Sequence, residues 1–228
     1  MALLLLIETS ASVCSAGLSL DGKIIAIREE NVPNRHAELL SVFCEELLKE
    51  TGYATKDLMA VAVGGGPGSY TGLRIGTSTA KGYCFALNIP LISVSTLQAI
   101  AHGMRSEASE GDLLCPMIDA RRMEVYSSIF TTELLTVESI QPVVLDENSY
   151  TTVLKDKIVW FSGDGMEKAR ELLSNHSNAR FTSTGIHSVK NMAELAETKF
   201  QQQEFENLAY YVPFYLKTFH PGPQRSAV

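Results

Sequence analysis

The sequence predicts an α/β protein built as two lobes, each a mixed β-sheet with helices packed on it. Three observations indicate this class. The first half follows the order β-β-β-α-β-α-β, and helices between its later strands require parallel crossovers. Residues 101–111 turn polar and contain glycine, as expected for a boundary between lobes. A second series of strands and helices follows. We therefore predict lobes over residues 1–103 and 104–228.

Three strands open the chain. They cover Leu3–Glu8, Ser12–Leu20 and Lys23–Glu30, each rich in apolar side chains. The dipeptide Asp21-Gly22 joins the second strand to the third and is a preferred two-residue hairpin turn. We therefore expect an antiparallel meander.

An amphipathic helix comes next. Its apolar residues recur with the spacing of a single helix face, and they are Leu40, Phe43, Cys44, Leu47 and Leu48. Leu39 and Val42 make this apolar stripe wider than the surface that one sheet can cover. Gly52 ends the helix, because glycine favours the left-handed conformation of a helix C-terminus.

A buried strand, a glycine-rich turn and a second helix follow. The strand is Leu58–Gly64, the helix extends through Gly72–Leu87, and the strand Pro90–Val94 completes the first lobe. Small residues recur every four positions in the helix, in two rows: Gly72, Gly76, Ala80 and Cys84, and then Ser78, Gly82 and Ala86. Because glycine inside a helix costs about 1 kcal/mol relative to alanine, we expect another element to approach this helix closely.

The second half is less regular. Strands are expected at Leu113–Ile118, Glu124–Thr131 and Ile158–Ser162, with a short one at Val143–Leu145. Helices are expected at Met166–Leu173 and Met192–Gln203, and the final residues QRSAV are expected to fray. The pattern suggests a smaller, degenerate repeat of the first lobe.

Composition narrows the classes of function. The chain of 228 residues carries 19 basic against 26 acidic residues and has no run of basic residues. Phosphate contacts need clustered Lys and Arg, so we do not expect it to grip RNA unaided. The apolar run Ala2–Ile7 is too short to cross a bilayer and lacks the flanks of a signal peptide. We expect a cytoplasmic protein that does not associate with a membrane.

Several motifs resemble one family. The segment Gly64–Gly82 reads GGGPGSYTGLRIGTSTAKG, and it is accompanied by the opening LLLLIETSASVCSAGL, by HAELL, by DARRMEVY at Asp119–Tyr126 and by PFYLK at Pro213–Lys217. Together these resemble the TsaB (YeaZ-like) family, which helps to make the threonylcarbamoyladenosine of tRNA. The resemblance implies the two-lobed, ribonuclease H-like fold of the actin, hexokinase and Hsp70 superfamily.

The resemblance also implies a function and partners. Such a chain is a non-catalytic partner of a TsaD-type enzyme, which transfers threonylcarbamoyl from its adenylate to N6 of adenosine 37 in tRNAs that read ANN codons. A TsaE-type ATPase joins the complex, tRNA is reached only indirectly through it, and the chain alone is expected to form a homodimer. No cofactor of its own is implied, although ATP or ADP could lie at the complex interface.

The implied partner interface uses the two helices of the first lobe. Its residues are Leu39, Val42, Phe43, Gly72, Gly76, Ala80 and Tyr83. By the resemblance, these helices form a bundle with the equivalent helices of TsaD.

A stand-alone ATPase or phosphotransferase is the alternative function. Its phosphate-binding candidates are Glu8, Thr9, Ser10, Gly66, Gly68 and Ser69, since relatives in the superfamily place an acidic residue after the first strand and a helix N-terminus can hold phosphate. The segment lacks the GK[ST] of a Walker loop and the spacing of GxGxxG. A surface glutamate followed by a Thr-Ser turn explains the first three residues without any ligand, and this is the interpretation we prefer.

Metal and nucleophile motifs are not found in the sequence. The five histidines show no HxxxH or HExxH spacing, and Thr96 and Ile100 stand where the TsaD family has its metal-binding pair. We therefore predict no metal site and no catalytic residue, and no motif supports a peptidase. Asp119 and Arg121 could form an ion pair that fixes a turn, or could meet a ligand or a partner, and Arg74 is expected to pair with a carboxylate.

Overall fold

A computed structural model describes residues 1–32 and 34–217. The described chain forms two five-stranded mixed sheets, each with helices packed on it. This confirms the predicted fold class. The predicted fraying of the last five residues concerns positions that lie outside the described part.

The first sheet has the strand order β3-β2-β1-β4-β5. β1 pairs with β2 antiparallel and with β4 parallel, so it lies at the centre, and all of its residues are buried. The asymmetry follows from the connections, since a two-residue turn joins antiparallel strands whereas helices join the parallel ones. The strands are β1 (Leu3–Glu8), β2 (Val13–Leu20), β3 (Lys23–Asn31), β4 (Ala60–Gly64) and β5 (Leu91–Val94).

Two long helices cover one face of this sheet. They are α1 (His36–Thr51) and α2 (Tyr70–Leu87), and their inward side chains share one apolar core with β1, β2 and β4. Gly52 ends α1 in the left-handed conformation, and the Ser69 hydroxyl caps α2 by accepting the Gly72 N–H at 3.3 Å. The opposite face holds α3 (Thr96–Met104), which the sequence prediction had assigned in part to a polar hinge.

The second sheet repeats the first. Its order, read as β8-β7-β6-β9-β10, has the same succession of antiparallel and parallel pairs. The strands are β6 (Leu113–Asp119), β7 (Glu124–Thr131), β8 (Thr136–Val144), β9 (Val159–Ser162) and β10 (Ala179–Phe181), with α4 (Thr151–Leu154) and α5 (Met166–Leu173) between them. The prediction of a short strand at Val143–Leu145 was wrong in extent, because β8 is a mostly exposed edge strand whose polar residues hide its periodicity.

The chain then returns to the first sheet. The 3₁₀ helix Val189–Asn191 and α6 (Ala193–Gln201) pack with α3 on the face opposite α1 and α2, where Val189 and Ala196 contact the core around Leu4. Residues 205–215 continue along the edge of β5 and beside α2. The sheets separate at residues 95–112, near the predicted boundary, but the last described stretch completes the first lobe. The boundary between residues 103 and 104 stays a prediction.

Candidate functional site

A cavity of about 360 Å³ opens between the two sheets. The first lobe contributes Ser10, Gly68 and Ser69 from the β1–β2 turn and the start of α2, and the second lobe contributes Ile118, Asp119 and Asp164. The N-terminus of α2 faces this cavity, and helix N-termini favour anions. The cavity therefore has hydroxyls and a positive helix end on one wall and carboxylates on the other.

The structure divides the predicted phosphate candidates into two groups. Ser10, Gly68 and Ser69 line the cavity, whereas Glu8, Thr9 and Gly66 do not. The Thr9 hydroxyl donates to the Gly72 carbonyl at 2.8 Å, and the Gly66 N–H donates to the Thr96 hydroxyl at 3.2 Å. The Thr9 hydroxyl and the Gly66 N–H are therefore both used in hydrogen bonds within the first lobe.

Glu8 is the decisive residue for the phosphotransferase hypothesis. Its side chain is 1% exposed, and its Oε1 accepts the Ser10 N–H at 2.6 Å. The Glu8 carboxylate lies directly beneath Gly64, where any added Cβ would lie 2.3 Å from its Oε2. The prediction of a surface glutamate was therefore wrong: Glu8 is buried, fixes its own turn and does not line the cavity.

Sequence reasoning missed a hydrogen-bonded bridge between the lobes. His187 joins Ser10 of the first lobe to Asp164 of the second, with Nδ1 3.1 Å from the Ser10 Oγ and Nε2 3.2 Å from the Asp164 Oδ1. No local signal could reveal it, since Ser10 and His187 lie 177 residues apart in the chain. We call these three residues the interlobe bridge.

The electrostatics of the interlobe bridge favour a charged pair. Burial lowers the pKa of His187, but the hydrogen bond and charge of Asp164 outweigh burial and hold that pKa above its ordinary value. Burial raises the pKa of Asp164, and the same contact with His187 more than reverses the effect, so the pKa lies below its ordinary value. The order Ser-His-Asp resembles a nucleophilic triad, but Ser10 is only 1% exposed. A bridging role fits this burial better than hydrolysis.

The predicted ion pair between Asp119 and Arg121 is not formed. Asp119 instead accepts the Arg121 backbone N–H at 2.5 Å and pairs with the Lys168 ammonium at 2.9 Å. The expectation for Arg74 was also wrong, because its guanidinium lies over the ring of Tyr70, 5.4 Å from the ring centroid, and makes no ion pair with a described carboxylate. Both arginine side chains are therefore available to other groups.

The small-residue row of α2 faces inward. An added Cβ at Gly72 would lie 2.0 Å from the Thr9 carbonyl oxygen, and one at Gly76 would lie 2.3 Å from the Thr9 Oγ1. Ala80 is fully buried in the core with Cys84. The prediction that Gly72, Gly76 and Ala80 meet a partner helix was therefore wrong for the chain as described. The close neighbour that these residues accommodate is the β1–β2 turn of the same lobe.

The second row of small residues faces solvent. Gly82 has no heavy atom within 4 Å of an added Cβ, Phe85 is 84% exposed and Val42 is 46% exposed. α1 and α2 cover the same face of the sheet, so the residues that point away from it share one surface. We call this surface the outward helix face: Val42, Ser78, Gly82, Phe85 and Ala86. Of the other predicted interface residues, Leu39 and Tyr83 are half-buried beside this face, and Phe43 is buried.

Metal-binding clusters and membrane-spanning helices are absent from the described residues. They contain no group of three or more His, Cys, Asp or Glu side chains arranged to hold a metal ion. Ile100 is buried in an apolar cluster. Across residues 1–32 and 34–217, no helix combines the length and apolar character needed to cross a membrane.

Comparison with known sequences identifies close relatives. A family model described as TsaD, tRNA N6-adenosine threonylcarbamoyltransferase, matches residues 27–223. The tRNA threonylcarbamoyladenosine biosynthesis protein TsaB of Bacillus subtilis is 28% identical over 94% of this chain and 93% of its own length. The TsaB protein of Haemophilus influenzae is 26% identical over the same shares. The Escherichia coli TsaB is 37% identical over 54% of this chain and 52% of that protein.

Comparison with solved structures agrees. YeaZ from Pseudomonas aeruginosa superimposes with a TM-score of 0.79 at 25% identity, covering 95% of this chain and all of that one. An activator of 2-hydroxyisocaproyl-CoA dehydratase from Clostridium difficile, solved with bound ADPNP, has a TM-score of 0.52 at 12% identity, over 90% of this chain and 98% of that one. The second likeness concerns the fold alone, which is the predicted actin-like architecture.

Proposed function

Because the chain belongs to the TsaB (YeaZ-like) family, we propose that it acts in the biosynthesis of threonylcarbamoyladenosine in tRNA as the non-catalytic partner of a TsaD-type enzyme. That enzyme would transfer threonylcarbamoyl from its adenylate to N6 of adenosine 37 in tRNAs that read ANN codons. The chain would contribute no catalytic residue and would hold the enzyme in a productive state, and a TsaE-type ATPase would join the complex.

The outward helix face is the observation that carries this proposal. It combines a highly exposed phenylalanine with small residues at i, i+4 spacing, so that a partner helix could approach the α2 backbone along Ser78, Gly82 and Ala86. Exposed apolar surface of this kind marks interaction sites. A partner of standard size would bury about 1,600 Å² in total, with Phe85 as its central anchor.

The stand-alone ATPase is not favoured. Its mechanism needs an acidic residue beside the phosphates, whereas Glu8 is buried, accepts the Ser10 N–H and does not line the cavity. We propose that any ATP or ADP in the assembly lies at an interface with the other subunits rather than at a site of this chain alone.

A homodimer through the outward helix face is the second part of the proposal. A two-fold axis can pair this surface with itself, and the TsaD-type partner would then compete for it. The cytoplasm is the compartment that fits a role in tRNA modification.

The test measures binding of a purified TsaD-type partner by calorimetry. Phe85→Ala removes the exposed ring and should weaken binding about tenfold or more, equivalent to at least about 1.4 kcal/mol. Gly82→Trp should block helix approach while leaving the fold intact, since the site is open. The matched control is Val144→Ala, which truncates another highly exposed apolar side chain, 70% exposed on β8, and should leave partner binding unchanged.

Sedimentation velocity completes the test. The same two substitutions should weaken self-association, and added partner should convert homodimer to heterodimer. If Phe85→Ala and Gly82→Trp leave partner binding at the wild-type level, the outward helix face is not the docking surface and the proposal loses its support.

A further inference from the structure

Two consecutive arginines occupy an unusual backbone conformation at the mouth of the cavity. Arg121 and Arg122 have φ of 71° and 51° in the turn between β6 and β7. Both values lie in the left-handed region, which residues other than glycine adopt rarely and at a cost. Positions with positive φ are ordinarily occupied by Gly, Asn or Asp. Arginine is therefore not what the backbone of this turn would select.

The turn is held from the inside, and its arginine side chains are left free. The Asp119 carboxylate accepts the Arg121 N–H, and the Ala120 N–H donates to the Glu124 carbonyl at 3.1 Å. Lys168 neutralises Asp119. Both arginines are exposed, and among the described residues neither guanidinium has a carboxylate within ion-pair distance. Two positive charges thus project from a fixed turn.

The fold brings further cationic and aromatic groups to the same place. The Lys217 ammonium contacts the Glu124 carboxylate, at the first residue of β7. Two residues earlier, the Tyr215 ring packs on the Tyr70 ring with centroids 4.8 Å apart, and Arg74, one turn further along α2, lies over the Tyr70 ring.

Tyr126 reports the same proximity. Burial raises its pKa, while the charges of Lys217 and Arg121 act in the opposite direction, so both cations lie near this ring beside the cavity. Contacts and chain adjacency thus connect Tyr70, Arg74, Tyr215 and Lys217 to the turn that carries Arg121 and Arg122, beside the cavity lined by Asp119 and Tyr126. We call these six cationic and aromatic residues the cleft-mouth strip.

We propose that the cleft-mouth strip binds an RNA strand. Among the described residues, Glu124 is the one carboxylate in ion-pair contact with its four cationic side chains, so the strip is locally positive on a chain whose net charge is −7. Arginine guanidinium groups match phosphate geometry with two parallel hydrogen bonds, and half-exposed tyrosine rings stack on unpaired bases. Cations next to aromatic rings suit a nucleic acid better than an acidic protein surface.

This inference deepens the proposed function, because it gives the chain its own contact with RNA instead of access only through a partner. It depends on the proposed function for the identity of the RNA, but not for binding itself. The two can therefore fail separately: RNA affinity is measured on this chain alone, and partner affinity without RNA.

The decisive variant is Arg121→Asn combined with Arg122→Gly. It removes both charges and places Asn and Gly, which adopt positive φ more readily than arginine, at the two left-handed positions, so thermal stability should stay equal or rise. The affinity of the full chain for an unmodified tRNA transcript, followed by fluorescence anisotropy at low salt, should fall about tenfold. The slope of log affinity against log salt should shrink by about two, one for each lost phosphate contact.

Two controls isolate the strip. Arg105→Asn combined with Lys56→Asn removes the same charge from exposed positions elsewhere. Arg105 is close enough to Glu133 for its charge to lower the pKa of that carboxyl, and Glu133 follows the end of β7 opposite to Glu124. This control should leave RNA affinity within about twofold of the wild type. Tyr215→Leu should weaken binding several-fold with little change in the salt slope, because stacking releases no counterions.

Three results would overturn the inference. The first is that the wild-type chain alone does not bind RNA at low salt at protein concentrations up to about 100 μM, the weak end of non-specific affinity. The second is that the Arg121→Asn, Arg122→Gly variant binds RNA as tightly as the wild type or as the charge control. A third contrary result is loss of affinity for a TsaD-type partner with RNA affinity retained, which would make the strip a protein contact.

Discussion

Gly76 and Gly82 lie on the same helix. We expect substitution by alanine to lower the stability of the protein at Gly76 and to raise it at Gly82. At Gly76 an added Cβ would lie 2.3 Å from the Thr9 Oγ1, with Ile7 and Val63 methyls at 3.4 and 3.5 Å. At Gly82 nothing lies within 4 Å. The pair therefore separates helix propensity, which is common to both sites, from packing, which is not.

The magnitudes follow from these contacts. Alanine gains about 1 kcal/mol over glycine in a helix interior, and Gly82→Ala should realise most of it. At Gly76 the Thr9 hydroxyl must move and lose its hydrogen bond to the Gly72 carbonyl, which costs about 1–3 kcal/mol for a buried group. Overpacking adds about 1–3 kcal/mol. The net effect of Gly76→Ala should be destabilisation by about 1–5 kcal/mol.

Thermal unfolding followed by circular dichroism measures both variants. At about 2–4 °C per kcal/mol for a chain of this size, Gly76→Ala should lower the Tm by several degrees and Gly82→Ala should raise it slightly. A Gly76→Ala protein as stable as the wild type would refute the inward orientation of this row. Destabilisation by Gly82→Ala would refute the outward one.

Two further predictions concern buried titratable groups. The pKa of His187 is raised, so its protonated form stabilises the fold fully below the ordinary pKa of 6.5, and this stabilisation is lost as pH rises through the folded-state pKa. The pKa of Asp164 is lowered, so its ionised form stabilises the fold above the ordinary pKa of 3.8, and this stabilisation is lost as pH falls through the folded-state pKa. The stability difference between wild type and His187→Gln should therefore be largest between about pH 4 and 6.5; a difference that does not vary with pH would argue against a charged bridge. Burial raises the pKa of Cys44 to about 12 and that of Cys14 to about 11, so the native thiols should resist a maleimide reagent at pH 8 and react fully in urea, and rapid native labelling would show that α1 opens readily.

The sequence by itself determined several elements of both lobes. β1 and β7 have the predicted limits, and α5 also matches its predicted limits. These segments are recognisable because their apolar residues repeat with the period of a strand or a helix, which is a local property. β8 escaped prediction because an exposed edge strand has little apolar alternation to detect. α3 was missed because its apolar residues overlap a polar stretch that resembled a hinge.

Only the tertiary structure decided which residues act at a surface. The spacing of Gly72, Gly76 and Ala80 shows that something approaches α2, but spacing cannot say whether that neighbour is a second protein or the turn at Thr9, and the fold places the turn there. The sequence likewise cannot say whether Glu8 binds a ligand or fixes a turn, whereas in the fold its carboxylate accepts the Ser10 N–H.

The same limit applies to charge. Counting residues in the sequence shows an acidic chain without a basic run, and yet the fold assembles Arg74, Arg121, Arg122 and Lys217 from α2, the β6–β7 turn and the C-terminal stretch. It also joins Ser10 to His187 across 177 residues. Secondary structure depends on neighbours within about a turn of chain, and so it can be read locally. Sites depend on contacts between distant segments, and those exist only once the two sheets have packed.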